Sequence, residues 1–277
     1  MPSAVFPSRS AILLLAALSA ALGPVARSGR AEDSAAAQAR RIFANSRDAI
    51  VKVTGVATLR LTAADRPGMS IPEREQKVRS DATVIDKTGL VVLSLSAIDP
   101  ARLLDGRETN TPAGPMKMEA SATVKELEII LADGTEIPAT MVFKDADADL
   151  AFVRPKADAP EVKGVTFAPV DLTSSSRAAA ADPTVSVTRL DDVFNNEPAL
   201  TMGQVSAVIE RPRACFLTTN MVRSCPTFAL DGTLLGIGAV RITKAQGQAL
   251  VIVPASEIGK LVAQVPAANA GKPDEAK

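Results

Sequence analysis

The chain has 277 residues, 47% hydrophobic and 22% charged, enough apolar material for one or two cored domains and the wrong composition for a disordered one. Its 31 basic residues balance its 31 acidic ones, so no positive surplus exists to hold a phosphate backbone, which argues against nucleic acid as a partner. Histidine is absent, so no Ser-His-Asp or Cys-His relay and no His-ligated metal site can be assembled, and two cysteines cannot complete a structural zinc tetrahedron. No cofactor chemistry is expected.

Residues 1–31 read as an export signal: Arg9 precedes the apolar run 11–22, and small residues around Gly29 and Ala31 offer a cleavage point. The run is short for a membrane span, and the alternative to cleavage is an uncleaved anchor. Elsewhere nothing is long and apolar enough to span a bilayer, so the expected location is periplasmic or extracellular. The run DSAAAQARRIFANSRD (33–48) predicts a helix with Ile42 and Phe43 free to dock. A strand follows at 49–58, with Val51 and Val53 on one face, and then a polar loop at 63–77 carrying Pro67, Gly68 and Pro72.

Three hairpin signatures come next, ATVID-KTG-LVVLSL, LEIIL-ADG-TEIPATMVF and TFAL-DG-TLLGIGAV, each a β-rich run broken by a turn ending in glycine. Between the first two, residues 100–121 hold Pro112, Gly114 and Pro115 with few periodic apolar positions and predict a long surface loop. Residues 156–182, rich in Pro, Ala and Ser, predict a crossing between two lobes. The repeated short strands argue for an all-β barrel or sandwich, and we expect two barrels packed together, at about 49–155 and 184–255, rather than one lobed domain. A helix is expected at 258–265 and a frayed polar tail at 266–277.

Several of these segments carry a further pattern. Thr218–Val240 reads TTNMVRSCPTFALDGTLLGIGAV, with Pro226, Asp231, Gly232, Gly236 and Ile237 spaced as in the nucleophile loop and hairpin of trypsin-like serine proteases of the HtrA/Deg kind. TGLVVLSLSAI (88–98), DGTEIPATMVFKDADADLAFV (133–153), TMGQVSA (201–207) and IVPASE (252–257) resemble other segments of that family, in the same order. Over 36–265 the chain thus resembles an HtrA/Deg protease domain. The resemblance implies two packed six-stranded antiparallel β-barrels of the trypsin-like kind with short N-terminal and C-terminal helices, and no following PDZ domain.

The resemblance also implies that the family's chemistry is missing. The histidine position is Ser96, the serine position is Arg223 and the two glycines after it are Ser224 and Cys225; of the triad only the aspartate persists, as Asp149. Asp149 has an alternative reading as one carboxylate of a solvated DADAD turn, and Ser96 as a polar residue of a half-buried strand. The expected function is that of an exported, inactive trypsin-like domain binding an unknown protein or peptide partner, or serving as a structural part. A hydrolase using Ser224 or Cys225 is the alternative, with Lys87 or Lys144 as the base of a Ser-Lys pair. Export and the short spacing of Cys215 and Cys225 predict a disulfide between them. Loss of the histidine would leave a carboxylate facing an empty volume. Arg223 is therefore expected to reach across and pair with Asp149, the alternative being a solvent-facing loop arginine.

Overall fold

Short strands joined by tight turns close into two antiparallel barrels in the computed structural model, which describes residues 28–64, 70–111, 114–173, 177–242 and 247–266. Residues 1–27 of the expected export signal at 1–31, and the expected tail from 267, lie outside these residues. Residues 38–277 form one compact unit and residues 1–37 another, of which the described part begins helix α1 (Ser28–Ser46). Among the described residues no helix is long and apolar enough to cross a membrane.

The first barrel comprises β1 (Ile50–Ala63), β2 (Ser70–Val84), β3 (Val91–Ser94), β5 (Gly114–Ile130), β6 (Glu136–Asp145) and β7 (Leu150–Pro155), closed by pairing of β1 with β5. β4 (Glu108–Thr111) pairs only with the start of β5 and extends the sheet beyond the barrel. The second barrel comprises β8 (Pro183–Arg189), β9 (Pro198–Ile209), β10 (Cys215–Thr218), β11 (Pro226–Ala229), β12 (Leu234–Ile242) and β13 (Gln248–Pro254). The all-β, two-barrel expectation therefore holds, with α1 before and α4 (Ala255–Val262) after the strands.

All three glycine turns fall where hairpins form, joining β2 to β3, β5 to β6 and β11 to β12, and Gly89, Gly134 and Gly232 each take positive φ there. Two expected loops are strand instead. β1 and β2 run through most of 63–77, and Pro72 is accommodated at a register shift opposite the stretch Leu59–Leu61, where no ladder hydrogen bond is needed. The segment 100–121 holds the one-turn helix α3 (Ala101–Leu104), β4 and the first half of β5. Along β5, Met116, Met118, Ala120, Ala122 and Val124 alternate with polar residues, and Met118, Ala120, Ala122 and Val124 pair with β1.

The apolar strands β3 and β7 explain how the barrels meet. Val91, Leu93, Ala151 and Val153 point into the first barrel's core with Val53, Ile129 and Ile137. Their neighbours Val92, Leu150 and Phe152 point the other way, into a core shared with Val185, Val187, Leu234 and Ile237 of the second barrel and with Ile42 of α1 and Ile258 of α4. Both faces of these strands are buried, so they read as unbroken apolar runs.

The two cysteines are separate buried thiols rather than a disulfide. Cys215 lies in the shared core, while Cys225 turns toward Asp81 of β2, its Sγ donating to Oδ2 at 3.2 Å, with Thr188 Oγ1 at 3.4 Å. Burial, and next the neighbouring Asp81 carboxylate, push the Cys225 thiol well above its ordinary range, so it stays protonated and unreactive at neutral pH. In the native, unreduced protein neither thiol is expected to react with Ellman's reagent within minutes. After denaturation without reductant both should react, and a failure of either to appear would restore the disulfide.

Candidate functional site

At the seam between the barrels, Asp149 ends the tight turn 146–149 that feeds β7, and its backbone takes the left-handed conformation, φ 57°, which Asp tolerates better than most residues. Its carboxylate is 1% exposed and fully engaged. Oδ1 accepts the Ser96 backbone N–H at 2.8 Å and faces Arg102 Nε at 3.4 Å. Oδ2 accepts the Ser96 hydroxyl at 3.0 Å, the Val240 N–H at 2.9 Å and the Ser94 hydroxyl. Asp149 and Ser96 are therefore brought together, one turn of helix, α2 (Leu95–Ile98), presenting Ser96 to the carboxylate.

Each serine hydroxyl has one proton, and both Ser94 and Ser96 give theirs to Asp149. A carboxylate in this setting is an acceptor hub with a single cationic neighbour, Arg102, whose Nη2 is also tied to the Ala146 carbonyl. Among the described residues, the groups that meet this carboxylate are two serine hydroxyls, two backbone N–H groups and one guanidinium.

Arg223 is not part of this arrangement. Its backbone bridges to Gly238 of β12 and its side chain is exposed, with no partner among the described residues. The expected pairing of Arg223 with Asp149 is thus replaced by a pairing from Arg102. The reason is geometric: the loop 222–225 lies so close on β12 that a Cβ at Gly238 would meet the Val222 carbonyl at 2.0 Å, and Arg223 is left facing outward. Arg102, by contrast, sits on α3, whose chain runs past the turn 146–149.

Ser224 follows with φ 66°, a conformation that suits glycine, and is completely buried. Its N–H is spent on the Gly238 carbonyl at 2.7 Å and its C=O accepts the Thr83 hydroxyl at 2.9 Å. Its Oγ accepts the Ser94 N–H at 3.0 Å and lies 3.0 Å from Ser80 Oγ, which is itself 2.8 Å from the Asp81 carbonyl. None of these neighbours is a base. Lys87 and Lys144 are both exposed, and neither is bonded to Ser224 among the described residues; Lys144 acts electrostatically on Asp99. Among the described residues no group of three or more Cys, Asp or Glu side chains is placed to hold a metal ion.

A second polar joint lies beside the first. Lys52 Nζ of β1 is 2.7 Å from Asp81 Oδ1, and Asp81 Oδ2 accepts the Thr188 hydroxyl of β8 at 2.8 Å. The Arg189 guanidinium reaches back to the carbonyls of Ile50, Arg47 and Asn196. Sequence reasoning missed Ser94, Arg102 and this joint. Ser94 left a trace, since two serines two positions apart interrupt an otherwise apolar run; Arg102 left none, because its segment reads as loop.

The outer edge of β12 borders an open cleft of about 800 Å³ that Arg102 and Ile242 help to line. Gly238 and Val240 direct their N–H groups away from β13, to the Cys225 carbonyl and to Asp149. By the two-residue alternation of a strand, the backbone groups of Ile242 face the same side, toward the cleft.

Because Asp149 is buried, removing its cationic neighbour should be felt in stability. Arg102→Met is expected to cost about 1–3 kcal/mol of unfolding free energy, less than for a fully buried pair because Arg102 is part-exposed. Arg223→Ala should stay within about 0.5 kcal/mol of wild type. Urea unfolding of the two variants decides which arginine serves the carboxylate.

No protein-family model matches the chain, and no curated protein matches it in sequence. Among solved structures, the crystal structure of Deg5 is similar, at 17% sequence identity and a TM-score of 0.49, the match covering 81% of this chain and 92% of that one.

Proposed function

We propose that this chain is an exported, catalytically inactive domain of the trypsin-like kind that binds an extended segment of a protein or peptide along the outer edge of β12. The observation that carries the reading is the Asp149 carboxylate. Its five donors are two serine hydroxyls, two backbone N–H groups and one arginine, and a chain without histidine has nothing to place between it and a nucleophile. Arg223 in the serine position of the sequence pattern supports the same conclusion, and the N-terminal sequence supports export. The hydrolase alternative finds little support: Ser224 is buried without a base, and the Cys225 thiol is buried and held protonated.

Binding follows from the backbone. Past Val240, whose N–H is taken by Asp149, β12 turns the backbone groups of Ile242 toward the open cleft, and such a strand end can extend into pairing with another strand, main-chain hydrogen bonds supplying affinity and the cleft wall supplying selectivity. Such binding needs no catalytic group.

Labelled, unfolded casein tests both halves. Its anisotropy should rise on titration with the purified protein, while gels show no fragments and a fluorophosphonate probe leaves the chain unlabelled. Ile242→Pro, which removes an N–H outside the β13 ladder, should weaken binding while keeping the unfolding midpoint. Fragments that vanish in Ser224→Ala would overturn inactivity, and absence of binding at 100 µM protein, roughly the weak end of peptide recognition, would overturn the binding reading.

A further inference from the structure

The first barrel has one long strand edge with no strand against it. β2 pairs with β1 from Ser70 to Thr83, but on its other side β3 reaches only Thr83 and Val84. Residues 72–77 are exposed without a break, and among the described residues the side chains of Arg74, Glu75, Gln76 and Lys77 have no partner. The direction of the backbone follows from its end: the Ile85 N–H turns toward β3, to the Leu90 carbonyl at 2.8 Å, and the register of β2 on β1 is unbroken from Thr83 back to Arg74. By strand alternation Glu75 and Lys77 therefore turn both backbone groups outward, while Arg74, Gln76 and Val78 turn theirs to β1.

Charge on an open edge normally keeps other strands away. The order of charges here instead suits one partner, a second copy of the same edge. Two identical strands joined antiparallel must match outward-facing residues with outward-facing ones, so their twofold axis falls on a residue and not between two. An axis at Arg74, Glu75 or Lys77 sets that charge against its own copy, and an axis at Val78 sets Lys77 against Arg79. Of the axes within 74–78, Gln76 alone brings no like charges opposite: Glu75 faces Lys77 on both sides of it, Arg74 faces Val78, and Gln76 faces itself. Glu73 and Arg79, next along, are already paired with Arg60 and Asp192 and add no charge to the join. Beyond them Pro72 has no N–H to offer, and Ser80 and Asp81 are taken up by Ser224 and Thr188 of the second barrel.

We infer that two copies of this chain join along the outer edge of β2, residues 74–78 of each running antiparallel about a twofold axis at Gln76. Each Glu75 exchanges both main-chain bonds with Lys77 of the other copy, and the two side chains add an ion pair across the same position. The edge is used up by its own copy, so association stops at a dimer. The contact is short, well below the roughly 1,600 Å² of a standard interface, and the expected Kd is roughly 10–100 µM. It uses a different strand from the β12 edge and does not depend on peptide binding there.

Sedimentation velocity of the full chain should show the mean mass rising from monomer toward dimer between about 5 and 500 µM, and rising less in 0.5 M salt. Cysteine cross-linking reads the register. Opposed residues outside the hydrogen-bonded pairs lie about 4.5 Å apart at Cα, within disulfide reach, whereas an axis at Gln76 leaves Arg74 about 13 Å along the strand from its own copy. With oxidised glutathione, Gln76→Cys should form a covalent dimer at least about tenfold faster than Arg74→Cys, an exposed position on the same face, and wild type, with both thiols buried, should form none. Lys77→Glu should weaken the dimer about tenfold, since it turns both opposed pairs into like charges, and adding Glu75→Lys should restore it. These side chains meet no partner within the chain, so each variant should keep the wild-type unfolding midpoint. A chain that stays monomeric to about 500 µM, association that continues to trimers, equal cross-linking through Arg74→Cys and Gln76→Cys, or a dimer indifferent to the charge reversal would each overturn the inference.

Discussion

The contact on which the rest of the molecule depends is the acceptance by one carboxylate of donors from both barrels. Asp149 draws Ser94, Ser96 and Arg102 from the first barrel and the Val240 N–H from the second, at a depth where it is 1% exposed. A buried carboxylate is tolerated only when its lone pairs are satisfied, and here five donors do so. The same hub decides the chemistry. In the inactive reading proposed above, bonds that fix a carboxylate as a structural acceptor also occupy the directions in which it would orient a proton carrier, and a serine hydroxyl is too weakly basic to serve as one.

The neighbouring joint of Lys52, Asp81, Thr188 and Arg189 repeats the logic with an ion pair instead of a lone carboxylate. Desolvating two charges offsets much of their attraction, so such a pair contributes more to fixing one relative placement of the barrels than to net stability. Together the two joints enclose Ser224, whose hydroxyl and carbonyl are bonded across the seam while its N–H is held by Gly238 of β12. The loop 222–225 is therefore held rigid by contacts that leave Arg223 outside and Ser224 inside. What stays open is the cleft beside the end of β12, lined in part by Arg102 and Ile242.

Much of the fold was legible because its signals are local. Lys-Thr-Gly, Ala-Asp-Gly and Asp-Gly turns fix hairpins within a few residues, and the double-sided apolar runs of β3 and β7 mark strands buried on both faces. Asp149 was legible through its ordered neighbours in DADADLAFV, and Ser96 through its distance from the first hairpin turn. The β4–β5 extension was not, because Pro112, Gly114 and Pro115 read as loop and masked the alternation of Met116, Met118, Ala120, Ala122 and Val124 with polar residues. Arg102 was hidden with it. The cysteines misled for a related reason: spacing along the chain says nothing of side-chain direction, and Cys225 turns to Asp81 across the seam while Cys215 faces the shared core.

The central claim is that Asp149 is now a structural residue. Replacing it by Asn keeps the shape but puts an N–H₂ donor among five donors, leaving several buried groups unpaired. Guanidinium unfolding of Asp149→Asn is the direct measurement. A loss of about 3–5 kcal/mol relative to wild type is predicted, as for breaking a buried, fully bonded charge. A variant equal in stability to wild type within about 0.5 kcal/mol, or more stable, is what a carboxylate kept for catalysis at the expense of stability would give, and it would contradict the account.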